Sequence, residues 1–199
     1  MYGCGGGTFG NQGNGGGDVR EFTKRAENVA QVACSDYTTW YVTTTGDLYG
    51  CGINRNGQQS IGGTEPDRIS VFTKRAENVS KVFCDPGDYG TANWYITTTG
   101  DLYGCGIGYN GQQGNGYDGD EGQVNTFTKR AENVKDFICG GSSTSWYLTN
   151  NGELYGCGGA YYGQQGNGGD YRNPNEKLFE KKSRKCQRFC SFLPYYVVY

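Results

Sequence analysis

The sequence contains no histidine, and its single methionine is residue 1. Without imidazole the commonest general base is gone, and so is the commonest metal ligand. No recurring serine, cysteine or carboxylate set has another base beside it, so the chain reads as non-enzymatic, with no catalytic residue. No Cys-x-x-Cys pair occurs, and a zinc site would have to gather cysteines from distant parts of the chain. No metal and no cofactor are expected. Long apolar runs are missing too: none approaches the ~18 residues of a membrane span, and the amino terminus lacks a basic segment followed by an apolar core of ~7 to 15 residues. The expectation is a cytoplasmic protein without membrane contact, with the nucleus as the other location. Neither sign of charge dominates. Lys plus Arg number 18 against 20 for Asp plus Glu, a net charge of -2, which argues against electrostatic capture of nucleic acid.

Glycine and tyrosine are abundant, at 36 and 17 of 199 residues. Glycine is the poorest ordinary helix former, by roughly 1 kcal/mol against alanine, whereas tyrosine, threonine, valine and phenylalanine suit half-buried strands. The fold class is therefore all-β with glycine-rich turns.

One stretch organises the chain. Leu102-Tyr103-Gly104-Cys105-Gly106 is followed by Gly111-Gln112-Gln113-Gly114-Asn115-Gly116, and related stretches place tyrosines at 2, 49, 103 and 155, spaced by 47, 54 and 52 residues. A period of about 50 marks a repeat architecture. Within a unit, Phe22 to Val29 recurs at Phe72 to Val79 and Phe127 to Val134; it reads as a short Phe-Thr-Lys edge strand and a polar Arg-Ala-Glu-Asn turn. Val29 to Cys34, with its counterparts ending at Cys84 and Cys139, reads as a short buried strand, although apolar alternation fails at one step. Trp40-Tyr41-Val42-Thr43, with equivalents at Trp94 and Trp146, then runs into a glycine hairpin, of which Asn151-Gly152 is the strongest signal. The Leu-Tyr-Gly-Cys-Gly strand closes the unit. Four short antiparallel strands cannot bury both faces alone, and stacking such sheets around an axis gives the blades of a β-propeller.

The order Val-x-x-Val-x-Cys, aromatic strand, Gly-Asp-Leu-Tyr-Gly-Cys-Gly and Asn-Gly-Gln-Gln resembles the repeat of the regulator of chromosome condensation family, over residues 1 to about 179. The resemblance implies a propeller of seven blades in full-length relatives, of which about three complete blades plus fragments, on an arc, are expected here. Cysteine stands where that family has tryptophan, and the blade histidine is absent. The resemblance also implies guanine-nucleotide exchange on a small GTPase such as Ran, which maps onto no residue of this chain.

Other motifs read as structural. Gly-Gln-Gln-Gly lacks the lysine and following helix of a phosphate loop and recurs as a blade-connecting turn. Asp118-Gly119-Asp120-Glu121-Gly122 lacks calcium-loop spacing and reads as a solvated insertion. Cys4, Cys51, Cys105 and Cys157 share one repeat position and Cys34, Cys84 and Cys139 another, as buried free thiols do. Lys24, Arg25, Lys74, Arg75, Lys129 and Arg130 recur together as a candidate partner-binding rim, with Glu27, Glu77 and Glu132 two residues on cancelling much of its field.

The repeat array spans 1–182. Residues 183–199 form an atypical tail: Phe179-Glu180-Lys181-Lys182 starts a unit on schedule, yet Ser183 onward departs from Ala-Glu-Asn-Val-Lys-Asp-Phe. Reading eight permitted codons one base along restores those seven residues, as after a one-base deletion near Lys182, and such a tail should pack poorly. The alternative is a basic nucleic-acid or import patch. The function expected is a non-enzymatic scaffold binding a protein partner, with self-association through open blade edges. The alternatives are an exchange regulator of a small GTPase and a truncated product without function.

Overall fold

The computed structural model describes residues 1–85, 92–140, 143–166 and 175–184, and the backbone of two short strands beyond them. Among the described residues it is all-β apart from one 3-10 turn at Gly119–Gly122. Three four-stranded antiparallel sheets follow one another along the chain. The first contains β3 (Val29–Cys34), β4 (Thr38–Thr43), β5 (Leu48–Ile53) and β6 (Arg68–Ala76) in that order. β7 (Val79–Cys84), β8 (Ala92–Thr97), β9 (Leu102–Gly106) and β10 (Val124–Ala131) form the second. The third holds β11 (Val134–Gly140), β12 (Thr144–Thr149), β13 (Leu154–Gly159) and β14 (Asn175–Ser183). A half-blade of β1 (Tyr2–Gly5) and β2 (Val19–Lys24) precedes them, and a hairpin of β15 (Phe189–Ser191) and β16 (Tyr196–Val198) follows. The three four-stranded sheets are propeller blades, and β1 with β2 is part of another. How the tail's side chains from Lys185 onward pack lies outside the described residues.

The blade and the sequence unit are offset by one strand. The Phe-Thr-Lys strand does not open the unit that follows it. It pairs with the Leu-Tyr-Gly-Cys-Gly strand before it, with Tyr49 opposite Lys74 and Leu48 opposite Ala76. Nor are Arg75-Ala76 and Arg130-Ala131 turn residues: they continue β6 and β10, and only Glu-Asn makes the turn. The reason is local. Asn28, Asn78 and Asn133 carry φ of 51°, 57° and 58°, the left-handed conformation that asparagine tolerates, so the reversal sits there. The failed step in apolar alternation has a similar cause. Register shifts between Val79 and Lys81, and at the equivalent point of the other first strands, mark a bulge that lets both Val79 and Val82 face the core.

Blades are joined by apolar layers and a few fixed hydrogen bonds. Trp40, Val42 and Leu48 of one blade pack with Val79, Val82 and Tyr95 of the next; Trp94, Ile96 and Leu102 pack in turn with Val134, Phe137 and Tyr147. The hairpin glycine carbonyls of Gly46 and Gly100 accept from Val79 N (2.9 Å) and Val134 N (2.8 Å) at the start of the next blade. On the first strands Gln31 exchanges two 2.9 Å hydrogen bonds with the backbone of Val82, and Lys81 pairs with Asp136 at 3.0 Å.

Candidate interaction surface

The repeated lysines and arginines part company. Lys74 Nζ lies 2.8 Å from Asp47 and 2.7 Å from Glu77; Lys129 Nζ lies 3.0 Å from Asp101 and 2.6 Å from Glu132. Lys24 meets Glu27, and Lys181, one unit further on, meets Glu153. Each lysine is therefore neutralised by the hairpin acid of its own blade, the acid after it, or both. Hydrogen bonds to these acids hold the Lys74 and Lys129 ammonium groups above their ordinary range. The arginines turn inward. Arg25, Arg75 and Arg130 are half-buried, and each has a buried Nε without a hydrogen-bond partner. Desolvation by burial lowers the Arg75 and Arg130 guanidinium values, Arg75 lying near Cys105 and Arg130 near Cys157 and Cys105. The six residues thus do not make a ring of free positive charge, because alternation along β6 and β10 sends neighbouring side chains to opposite faces.

The thiols beside those arginines are neutral. Burial pushes Cys51 up to about 12 and Cys105 and Cys157 well above the ordinary thiol range. Cys4, Cys34, Cys51, Cys84, Cys105, Cys139 and Cys157 are all free, but against the expectation of buried thiols Cys34 is exposed and Cys4 and Cys84 are half-buried, leaving Cys51, Cys105, Cys139 and Cys157 buried. A pH dependence follows. Unfolded thiols ionise near 8.5, while the folded ones stay protonated, so above that pH the unfolded state binds fewer protons and stability falls as pH rises. The contribution is complete below about pH 8.5 and is lost at about 1.4 kcal/mol per pH unit per thiol as pH climbs toward the folded values. Urea unfolding at about pH 8 and pH 10 should show the drop, and Cys51→Ala should shrink it. An equal drop in the variant would clear the thiol.

The glutamines serve the fold. Gln58, Gln112 and Gln164 accept from the backbone N–H two residues before them, at 2.8, 2.9 and 2.7 Å, closing the turn. Gln12, Gln113 and Gln165 donate to the carbonyls of Cys4, Cys105 and Cys157 at 2.9, 2.8 and 2.6 Å. Where the motif reads Ser60 instead of glycine, the left-handed φ is retained at 56°, and Ser60 Oγ accepts from Phe127 N at 2.7 Å. Asp118 of the acidic insertion binds Lys177 at 2.9 Å, and that hydrogen bond holds its carboxyl below the usual range. Among the described residues no group of three or more His, Cys, Asp or Glu could hold a metal, and no helix is long and apolar enough to cross a membrane.

What remains unspent is aromatic. In the loop after each Gly-Cys strand, just before the turn glycine, stand Phe9, Arg55, Tyr109, and the Tyr161-Tyr162 pair, one set per unit. All are exposed: Phe9, edge-on to Tyr37, 36%, Tyr109 39%, Tyr161 53% and Tyr162 80%, with the Arg55 side chain, paired to Asp67 at 3.3 Å, at 64%. They occupy equivalent loops of successive blades. No periodicity points to them, since the loops differ in sequence from unit to unit; only their common place in the blade brings them together.

Blades of four antiparallel strands in tandem, with exposed aromatic side chains in the loops after their Gly-Cys strands, define a β-propeller repeat protein. Likeness in sequence narrows this to a kind of repeat. Residues 29–58 match the family model for the Regulator of chromosome condensation (RCC1) repeat. E3 ubiquitin-protein ligase HERC2 of Homo sapiens and of Mus musculus is 33% identical over 162 residues, covering 73% of this chain and 3% of those proteins. Among solved structures, human WBSCR16 superposes with a TM-score of 0.67 at 20% identity, over 92% of this chain and 50% of that one. Prp20p of Saccharomyces cerevisiae gives 0.69 at 19%, over 90% and 45%. In its repeat and its fold the chain is similar to RCC1-like repeat proteins, and it spans about half the length of those solved propellers.

Proposed function

We propose that this chain is a non-enzymatic scaffold that binds a protein partner through the aromatic loop face. The observation that carries it is a large exposed side chain within the two residues before the turn glycine in four successive units, Arg55, Tyr109 and Tyr161 two residues before it and Phe9 and Tyr162 directly before it, because tyrosine and arginine are enriched among the side chains that anchor protein interfaces. Rigid blades hold such loops at fixed spacing, so little order has to be gained on binding. The edge of Lys24, Lys74 and Lys129, already balanced by carboxylates, is a secondary contact surface, and Arg25, Arg75 and Arg130 support it from between the blades.

Exchange on a small GTPase is the second reading. The Prp20p structure is described with binding to Gsp1p and histones. The two readings separate in one pair of assays. Proximity labelling with the wild-type chain should yield partners that are lost together in a Tyr109→Ala/Tyr161→Ala/Tyr162→Ala variant, while nucleotide release from a panel of small GTPases stays at its intrinsic rate. Accelerated release from any of them overturns the scaffold reading. Partners retained by the triple variant overturn the assignment of the face. The array of 1–182 is proposed as one functional unit, with 183–199 outside it.

A further inference from the structure

The outer strand of the third blade, β14, keeps the register of its two predecessors to its last residue. Tyr155 stands opposite Lys181 as Tyr49 does opposite Lys74 and Tyr103 opposite Lys129. After the same register shift Leu154 stands opposite Ser183, as Leu48 does opposite Ala76 and Leu102 opposite Ala131. Ser183 therefore holds the place of the repeat's alanine. It follows Phe179 by four residues, as Ala26, Ala76 and Ala131 follow Phe22, Phe72 and Phe127. No residue has been gained or lost up to that point. Beyond it the Ala-Glu-Asn-Val of the other three units is absent, and the chain reads Ser183-Arg184-Lys185-Cys186 instead.

We infer that residues 183–199 are the next unit of the array, read in a frame displaced by one inserted base. Permitted codons for Ser183 to Val198, read one base along and completed by the first base of the Tyr199 codon, spell Ala-Glu-Asn-Val-Lys-Asp-Phe-Ala-Ala-Ser-Ser-His-Thr-Thr-Trp-Tyr. The first seven of these repeat Ala131 to Phe137. All sixteen align without a gap to Ala26 through Tyr41, ending on the same Thr-Thr-Trp-Tyr. The residues present leave little freedom for such a match. One base along, Lys185 permits only Asn or Ser, Cys186 only Val or Ala, Phe189 only Phe or Ser, and Tyr195 only Thr or Ile; the residue of the repeat is one of the two each time. Tryptophan has a single codon, and Val197 followed by Val198 permits it in register with Trp40.

The spacing fixes the kind of change. Every codon from Phe179 to Lys182 is kept, and the repeat's alanine codon begins at the second base of codon 183, so one base has been added. The single deletion expected from the sequence would move the frame the other way. The site is suited to an insertion: Glu180-Lys181-Lys182-Ser183 permits GAA AAA AAA AGC, an unbroken run of adenines between two guanines. On such a run a template and its copy pair equally well one base out of step, so an added adenine is easily retained.

The restored unit also fits the blade it follows. Val79, Val82 and Tyr95 pack against Trp40, Val42 and Leu48, and Val134, Phe137 and Tyr147 against Trp94, Ile96 and Leu102. The third blade presents Trp146, Leu148 and Leu154 at the same places. In the shifted reading positions 186, 189 and 198 become valine, phenylalanine and tyrosine, the same trio as Val134, Phe137 and Tyr147. The frame is thus recovered together with the side chains that the inter-blade layer requires.

Sequencing the gene and its messenger across codons 175–199 tests the inference. It requires AAA for Lys185, TGT for Cys186, TTT for Phe189 and GTG for Val197, the codons that yield Asn, Val, Phe and Trp one base along. AAG at Lys185, TGC at Cys186, TTC at Phe189 or any other valine codon at Val197 overturns it. A second measurement reads the fold. The chain encoded with one adenine removed from the run, through position 198, is compared with the unaltered chain in urea unfolding. Its midpoint should move to higher urea, because a further unit adds a nearest-neighbour interface to the array. An equal or lower midpoint overturns the placing of this unit against the third blade.

Discussion

Replacing Trp94 with alanine should cost about 3 to 5 kcal/mol of unfolding free energy, the range for a large aromatic removed from a packed core. Trp94 is fully buried. Its ring lies 4.7 Å from Phe137 and 6.0 Å from Phe179, both on the following blade, and covers Gly104 on its own. It therefore joins one sheet to the next. In a one-dimensional array such contacts are the nearest-neighbour terms that make the blades unfold together. Chemical unfolding followed by circular dichroism should show a lower midpoint and a broadened or split transition as the blades uncouple. A cost below about 1 kcal/mol would place the ring outside the inter-blade core.

Gly104→Ala should lose about 2 to 3 kcal/mol by the opposite defect, overpacking. The added methyl would sit 2.5 Å from Trp94 Cζ3 and 2.7 Å from Gln113 Oε1, closer than real contacts allow. Neither neighbour yields readily. The tryptophan is wedged between blades, and Gln113 is held by its hydrogen bonds to Cys105 and Ile107. The effect should be conditional: with Trp94→Ala already made, the methyl enters vacated space and its cost should fall to about 1 kcal/mol or less. A double-mutant cycle measures that coupling directly. Additive costs would mean that glycine serves the backbone there and not the ring.

Much of this was legible without coordinates. The period of about 50, the Trp-Tyr strand, the glycine hairpin and the Leu-Tyr-Gly-Cys-Gly strand all rest on local signals, and local signals survive in a one-dimensional reading. So does the four-strand blade. The pairing partner of Phe-Thr-Lys does not, because nothing within that segment says whether it bonds to the strand before it or the strand after it. Sequence adjacency favoured the latter; hydrogen bonding across β5 and β6 decided the former.

The same division holds for the surface. Lys74 and Arg75 are adjacent in sequence and look like one basic site, but a strand alternates its faces, so one meets Asp47 and Glu77 at the edge while the other is turned toward Cys105. The aromatic loop positions are visible only in the folded array. Tyr109 and Tyr161 belong together because they hold the same place in equivalent loops of successive blades. By itself the sequence determined the class of fold, the repeat and the strands, since those depend on periodicity along the chain. The tertiary structure decided which strands pair, which charges are spent and which aromatic side chains remain exposed, since those depend on contacts between residues about 30 to 70 positions apart, whose closure no local pattern encodes.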